Sequence, residues 1–473
     1  LVRGSMVQDL GAGRYQLHQL VQLHQLVWEY LRDQLANDLK EVAPALQQGM
    51  VTALVAQAKT VDNTVTLRDL ARMQDVVPHL TQVAEQFYEL LTDDDVMWPF
   101  TALARLAQGQ SRWQEAERWY GDCLTMTETR FGKDHPAVAT SLNNVAELYR
   151  LMGRYSEATP IYKRALSIRE QQLGFEHPDV AQSLCNLAEL YRVKGYYDEA
   201  EPLYKRALAI DEKAYGLGHP EVATDLNNLA LLYDSMQRYG EAEPRYLRAL
   251  AIQEKQLGEE HPDVAISLSN LAGLYESMRS YEQAERFYKR ALSIQEIQLG
   301  REHLDIADSL QGLATLYHCI KRYSDAEVLF KQALAIYEKL LDAAHPNVAT
   351  SLNGLAALYW DMGRLNDAET LYQRSLSIYE QQLGGDHPFV VTSLNNLAAL
   401  YESIGRYGEA ELFLQRSLEI SFKKLPPDHP DIQERQSNFR IIVKAALAAG
   451  QVEQLSDHPM TQAVLLELRE GQG

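Results

Sequence analysis

The sequence predicts an all-α fold, a right-handed α-α superhelix built from stacked helix pairs of 42 residues each. The first observation is a histidine that recurs every 42 residues and is followed by proline at every position except His303. The second is a glycine that recurs shortly before most of these histidines. The third is the spacing of apolar residues three and four apart on either side of a break in each repeat. Self-similarity this strict is typical of stacked supersecondary units, so we expect a solenoid. The histidines are His135, His177, His219, His261, His303, His345, His387 and His429.

The repeat Asp179–Pro220 shows why each unit is a helix pair. Apolar residues three and four apart in Val180–Tyr191 place one stripe on a first helix. Gly195 interrupts this pattern, and a second apolar stripe follows in Ala200–Leu208. Because neither helix can bury its stripe alone, we expect neighbouring units to bury it.

The ends of the second helices have a recurrent glycine, which is expected to take the left-handed conformation at low cost. The proline after each histidine suits the first turn of the next helix, where its missing N–H is not needed. The sequence therefore predicts a structural role for the His-Pro turn and no metal or catalytic site there. The glycines are Gly132, Gly174, Gly216, Gly258, Gly300 and Gly384, while Asp342 and Pro426 stand at the other two positions.

The repeat motifs resemble those of a known family. Leu226–Ala230 reads LNNLA, Tyr239–Glu243 reads YGEAE and Gly258–Pro262 reads GEEHP. From Val96 to Pro430 the chain is similar to the tetratricopeptide repeats (TPR) of kinesin light chains. The resemblance implies a concave groove lined by the first helices, an adaptor that holds an extended cargo peptide, and a motor heavy chain as a further partner.

The chain is expected to divide into four parts. Residues 1–5 (LVRGS) resemble an expression-tag remnant, and 6–95 form a helical N-terminal region. Residues 96–430 form about eight repeats, the first of them degenerate, and 431–473 hold capping helices and a tail. The Leu-rich segment 14–40 is expected to pack on the array as an end cap, with a homodimer through its imperfect heptads as the alternative. Other N-terminal helices are expected near Ala43–Lys59, Thr66–Val77 and Pro78–Leu91.

Composition excludes several classes of function. The net charge of −20 argues against nucleic acid or an anionic membrane as the main partner. The three cysteines, Cys123, Cys185 and Cys319, lie in different units, which favours a reducing compartment such as the cytoplasm. No motif for nucleotide, metal or nucleophile chemistry is present. We therefore expect neither an enzyme nor a cofactor.

Two adjacent columns of the first helices are rich in asparagine. One column reads Asn144, Asn186, Asn228, Asn270, Gly312, Gly354, Asn396; the preceding one reads Asn143, Cys185, Asn227, Ser269, Gln311, Asn353, Asn395. Asparagine is a poor helix former, so its repetition inside a helix needs a reason. One reason is a peptide groove, because an amide offers both donor and acceptor to a peptide backbone. The alternative is that these residues bridge neighbouring units.

A third column contains one aromatic residue among polar ones. It reads Arg150, Arg192, Asp234, Glu276, His318, Trp360, Glu402. Trp360 is expected to face the groove, beside space left by Gly312 and Gly354, where an apolar ligand pocket would form. The competing interpretation is that Trp360 packs against the next unit.

The sequence thus predicts a non-catalytic scaffold that binds a protein or extended peptide. The alternative is the sensing or regulatory repeat region of a larger signalling protein. The predicted peptide-binding residues are Asn143, Asn144, Arg150, Asn186, Glu189, Arg192, Asn227, Asn228, Asn270, Asn353, Trp360, Asn395 and Asn396.

Overall fold

The computed structural model describes residues 7–9, 15–17, 43–425 and 429–470. The chain divides into two compact units, Leu1–Val145 and Ala146–Gly473. The predicted boundaries near residues 95 and 430 stay predictions.

The described residues are helical apart from one short antiparallel strand pair. The strands are β1 (Val7–Asp9) and β2 (Tyr15–Leu17), and the helices that precede the repeats are α1 (Ala43–Ala58), α2 (Leu67–Met73) and α3 (Val77–Gln86). The repeat helices are α4 (Trp98–Gly109), α5 (Trp113–Phe131), α6 (Pro136–Leu151), α7 (Tyr155–Leu173), α8 (Pro178–Val193), α9 (Tyr197–Tyr215), α10 (Pro220–Ser235), α11 (Tyr239–Leu257), α12 (Pro262–Ser277), α13 (Tyr281–Leu299), α14 (Leu304–Cys319), α15 (Tyr323–Leu340), α16 (Pro346–Asp361), α17 (Leu365–Leu383), α18 (Pro388–Ser403) and α19 (Tyr407–Lys424). They are followed by α20 (Pro430–Ala448) and α21 (Pro459–Glu470), and 3-10 turns occur at Tyr88–Leu90 and Val452–Gln454.

The predicted stacking of helix pairs is confirmed. From α8 onward, each first helix packs on the second helix of its own unit, and that second helix packs on the first helix of the next unit. Ala188, Tyr204 and Ala230 belong to one buried cluster that continues through the later units. The small alanines allow close approach of the helices while the tyrosine rings fill the remaining space. Phe439 and Val443 of α20 join the same cluster, so α20 caps the last pair.

The His-Pro turn is a helix cap. In His177, Nδ1 accepts a hydrogen bond from the backbone N–H of Asp179 at 3.1 Å, which satisfies one of the free N–H groups at the start of α8. His303, which lacks the proline, caps α14 through Asp305 in the same way at 3.2 Å. The predicted structural role of the turn is therefore confirmed. The same bond, two residues along, occurs at His135, His219, His261, His345, His387 and His429.

The glycines after the second helices differ from the expected left-handed helical conformation. Gly174 has φ 87° and ψ 159°, an extended mirror-image region that is open to glycine and strained for other residues. Where Asp342 replaces the glycine, the helix ends one residue earlier, at Leu340, and Leu341 takes φ −120°. The glycine thus adds a final residue to the helix before the turn.

The N-terminal prediction is corrected at one place. Tyr15–Leu17 form strand β2 and not the start of a helix, with Tyr15 opposite Asp9. The alternation of apolar, polar and apolar side chains over these three residues is compatible with a strand. The remainder of 14–40, including the proposed end cap and dimer contact, lies outside the described residues. No helix among the described residues is long and apolar enough to cross a membrane.

Candidate functional site

The first helices lie on the inner side of the stack in Ala146–Gly473. Within the described part of this unit, the first helices of neighbouring repeats contact one another from α8 to α18, while the second helices approach each other less closely. A stack whose first helices are closer together curves toward them. Their polar face, which carries the three predicted columns, is named the inner face below.

The column that precedes the main asparagines joins neighbouring units. Asn227 Nδ2 donates to Ser267 Oγ at 2.7 Å, and Asn353 Nδ2 donates to Ser393 Oγ at 3.2 Å, each in the next first helix. At the same position, Ser269 bonds Ser309 at 3.0 Å. These contacts support the bridging alternative for this column.

The two ends of this column also lie against their own repeat. Asn143 is buried, with 7% of its surface exposed, and Asn395 Oδ1 accepts a hydrogen bond from Ser417 Oγ at 2.6 Å. Both asparagines are therefore part of the packed interior.

The main asparagine column has a different environment. Asn144, Asn186, Asn228, Asn270 and Asn396 are all half-buried. Asn228 lies within hydrogen-bonding range of the Cys185 thiol. Among the described residues, the other four amides form no side-chain hydrogen bond, so their donors and acceptors remain available to a ligand.

Arginine and glutamate form closed pairs at the beginning of the third column. Arg192 donates through Nε and Nη2 to Glu189, both at 2.8 Å, and Tyr204 donates to the same carboxylate at 3.0 Å. Burial alone would raise the pKa of Glu189, but the hydrogen bonds from Arg192 and Tyr204 lower it below its usual value. Arg150 and Glu147 pair in the same way at 2.6 and 2.8 Å. Glu147 was not among the predicted site residues, although its spacing of three from Arg150 indicates this pair.

Later members of the third column reach into the next unit. His318 Nε2 lies 2.8 Å from Asp361 Oδ2, and Arg192 Nη1 donates to Ser235 Oγ at 3.2 Å. Glu276 accepts a weak hydrogen bond from the Cys319 thiol at 3.7 Å. Each of these pairs is 43 residues apart, so one geometric relationship recurs along the stack.

The space expected beside Gly312 and Gly354 is absent, so the pocket prediction is wrong at these glycines. A Cβ on Gly312 would lie 2.6 Å from Cε1 of Tyr288, and one on Gly354 would lie 2.6 Å from Cε1 of Phe330. Aromatic rings from the preceding units therefore fill both positions. Trp360 is half-buried and packs against the main buried cluster, as the competing interpretation expected.

Unit Ala146–Gly473 contacts itself after one turn of the stack. His387 Nε2 donates to the carbonyl of Leu151 at 3.2 Å, and Lys424 Nζ donates to the carbonyl of Gly153 at 3.3 Å. His429 lies against Gly195. We name this contact the seam; a cavity of about 200 Å³ lies along it, beside Lys424. The seam brings the two ends of the inner face in this unit close together.

The described residues contain no group of three or more His, Cys, Asp or Glu side chains that would hold a metal ion. The three cysteines are free thiols, and burial raises the pKa of Cys123 to about 11. The chemistry of the site is therefore hydrogen bonding and charge pairing along the inner face.

Comparison with solved structures gives TPR-like folds. The structure of a Rap protein complexed with competence and sporulation factor has a TM-score of 0.51 and 17% identity, covering 81% of this chain and 98% of that chain. BtubC (BKLC) from P. vanneervenii has a TM-score of 0.39 and 25% identity over 50% of this chain and 92% of that chain. A Podosopora anserina kinesin light chain with nearly identical TPR-like repeats has a TM-score of 0.37 and 29% identity over 43% and 97%.

Comparison with curated proteins gives no match. The tetratricopeptide repeat model, by contrast, matches residues 95–171, 179–255, 235–297, 263–339 and 347–421, which together exceed half of the chain. A repeat fold of this kind is typically a non-catalytic scaffold. The chain belongs to the tetratricopeptide repeat family, whose repeats serve as protein-interaction scaffolds.

Proposed function

We propose that the inner face binds an extended peptide segment of a partner protein and that the chain acts as a kinesin light chain-like adaptor. The observation that carries this proposal is the column of half-buried asparagines at one position in successive first helices. Each amide pairs with a peptide backbone N–H and C=O, so binding depends little on peptide side chains. Charged and apolar residues in the neighbouring columns then select the sequence. The three free thiols favour a cytoplasmic location.

The asparagine columns supply a test with an internal control. A peptide is selected from a displayed library on the full chain, and its Kd is measured by fluorescence anisotropy. The double variant Asn186→Ala and Asn270→Ala is expected to weaken binding by about tenfold while the melting temperature stays unchanged. These two amides form no hydrogen bond within the described chain, so folding does not depend on them.

The matched control removes amides from the bridging column. The double variant Asn227→Ala and Asn353→Ala loses the bonds to Ser267 and Ser393, so it is expected to melt at a lower temperature. Its affinity, measured well below that temperature, should change less than that of the first variant. Unchanged affinity in the Asn186→Ala and Asn270→Ala variant would refute the proposed groove.

A further inference from the structure

The third column of the inner face changes sign between its second and third members. Arg150 and Arg192 come first, followed by Asp234 and Glu276 at the equivalent positions. The two arginines are already neutralised by glutamates of their own helices. They therefore offer little positive charge to a ligand.

The glutamate partner disappears where the sign changes. Leu231 and Gly273 stand where Glu147 and Glu189 stand in the earlier units. In the described chain neither Asp234 nor Glu276 forms an ion pair, and their hydrogen-bonding neighbours are neutral. Asp234 accepts from Ser277, and Glu276 accepts from Cys319 and Tyr288.

Both carboxylates are only half-exposed, which makes the missing cation costly. Burial raises the pKa of Asp234 and that of Glu276, because water no longer stabilises the ionised form as well. A cation placed beside them would restore part of that stabilisation.

Apolar side chains lie exposed on the same face of α10 and α12. Leu231 is 37% exposed and lies three residues before Asp234. Ile266 is 46% exposed and lies four residues before Asn270 in the next first helix. A docking peptide would therefore meet acidic and apolar groups side by side.

We propose that the inner face of α10 and α12 docks a basic extended peptide, in which Lys or Arg side chains pair with Asp234 and Glu276 and apolar side chains cover Leu231 and Ile266. This inference rests on the proposed peptide-binding function and adds the chemistry of the partner. Charge complementarity decides between peptide classes: an acidic segment would meet two uncompensated carboxylates, whereas a basic one would neutralise them. The chain's net charge of −20 steers basic segments toward it as well.

The test uses three fluorescein-labelled probes of equal length that repeat Ser-Lys-Leu, Ser-Glu-Leu or Ser-Gln-Leu. Anisotropy titrations of the full chain at low salt should show the Lys probe binding at least about tenfold tighter than the Gln probe and the Glu probe weakest of all. The double variant Asp234→Asn and Glu276→Gln should weaken the Lys probe by about tenfold and leave the Gln probe unchanged.

A charge-matched control separates this site from non-specific attraction. The double variant Glu199→Gln and Glu260→Gln removes the same charge at exposed positions outside the inner face and should keep the wild-type affinity. Equal loss in both double variants would overturn the proposal, because it would show attraction by net charge alone. Tight binding of the Glu or Gln probe that is lost in the Asn186→Ala and Asn270→Ala variant would overturn the charge preference and retain the peptide groove. No binding of any probe would overturn the charge preference, whereas no peptide from the displayed library would overturn the groove itself.

Discussion

The imidazole of His387 lies against Gly153, a residue 234 positions earlier in the chain, so closely that a Cβ on Gly153 would lie 2.9 Å from Cδ2 of the ring. The pair one unit later repeats this contact: a Cβ on Gly195 would lie 2.4 Å from Nε2 of His429. At the equivalent turns in the middle of the unit, Gln237 and Lys321 adopt positive φ (57° and 63°) although they carry side chains. Positive φ alone therefore does not require glycine at this turn, and close approach across the seam does.

Substitution of the seam glycines should destabilise the protein more than substitution of an identical glycine elsewhere. Gly195→Ala adds a clash with His429 to the strain of positive φ, whereas Gly363→Ala has the same φ of 75° and no atom within 4 Å of its Cβ. We expect Gly363→Ala to cost about 1–2 kcal/mol and Gly195→Ala to cost about 1–3 kcal/mol more. Urea denaturation of both variants measures the difference, and equal losses would show that the seam does not form.

The capping histidines should make stability depend on pH. Burial lowers the pKa of His345 to about 4, while Asp342 opposes this shift. The unfolded chain, with an ordinary His pKa near 6.5, therefore binds more protons than the native chain between about pH 4 and 6.5. The stabilisation is fully present above that range and is lost as pH falls through it.

His345→Asn isolates this effect, because asparagine also caps helices and does not titrate. Between pH 7 and 4 the wild type should lose up to about 3 kcal/mol more free energy of unfolding than the variant. Urea titrations of the two proteins across that range cancel the carboxylates that both share. Parallel pH profiles would contradict the assignment of His345 as a buried neutral cap.

A buried pair of acids in α9 and α10 should oppose folding at neutral pH. Asp225 and Asp211 are both buried, and burial raises the pKa of Asp225 to about 7. The native chain then binds more protons than the unfolded chain between about pH 4 and 7, so this site contributes less stability as pH rises through that range. Serine stands at the equivalent position in the other first helices, at Ser141, Ser183, Ser267, Ser309, Ser351 and Ser393.

Asp225→Ser should therefore raise the melting temperature, and by more at pH 8 than at pH 5. The gain at pH 8 is expected to be about 2–4 kcal/mol, since no buried carboxylate must then be ionised. Calorimetry at the two pH values checks both the sign and the pH dependence. A lower melting temperature at pH 8 would mean that the Cys185–Asp225 hydrogen bond of 3.2 Å outweighs the burial of the charge.

The helix pairs were predictable because local signals agree at every level: the apolar spacing, the turn glycine and the His-Pro cap recur together. The roles of adjacent asparagines were not. Asn227 and Asn228 differ by only one position in α10, yet one bonds the next unit and the other lies in the main column. The seam was also beyond sequence reasoning, because contact across 234 residues depends on small rotations that add up over several units.

Helical glycines at two positions should respond oppositely to alanine, which tests the packing that the sequence did not reveal. Gly273 in α12 has only the hydroxyl of Tyr288 near its Cβ position, at 3.7 Å, so Gly273→Ala should gain about 1 kcal/mol from helix propensity. Gly312 in α14 faces the ring of the same tyrosine at 2.6 Å, so Gly312→Ala should lose stability by about 1–3 kcal/mol as the ring is displaced. Urea denaturation compares the two variants with wild type, and Gly312→Ala combined with Tyr288→Leu, a smaller side chain, should recover part of the loss. Stabilisation by Gly312→Ala alone would mean that the position is open, in which case the predicted ligand space beside Trp360 would exist after all.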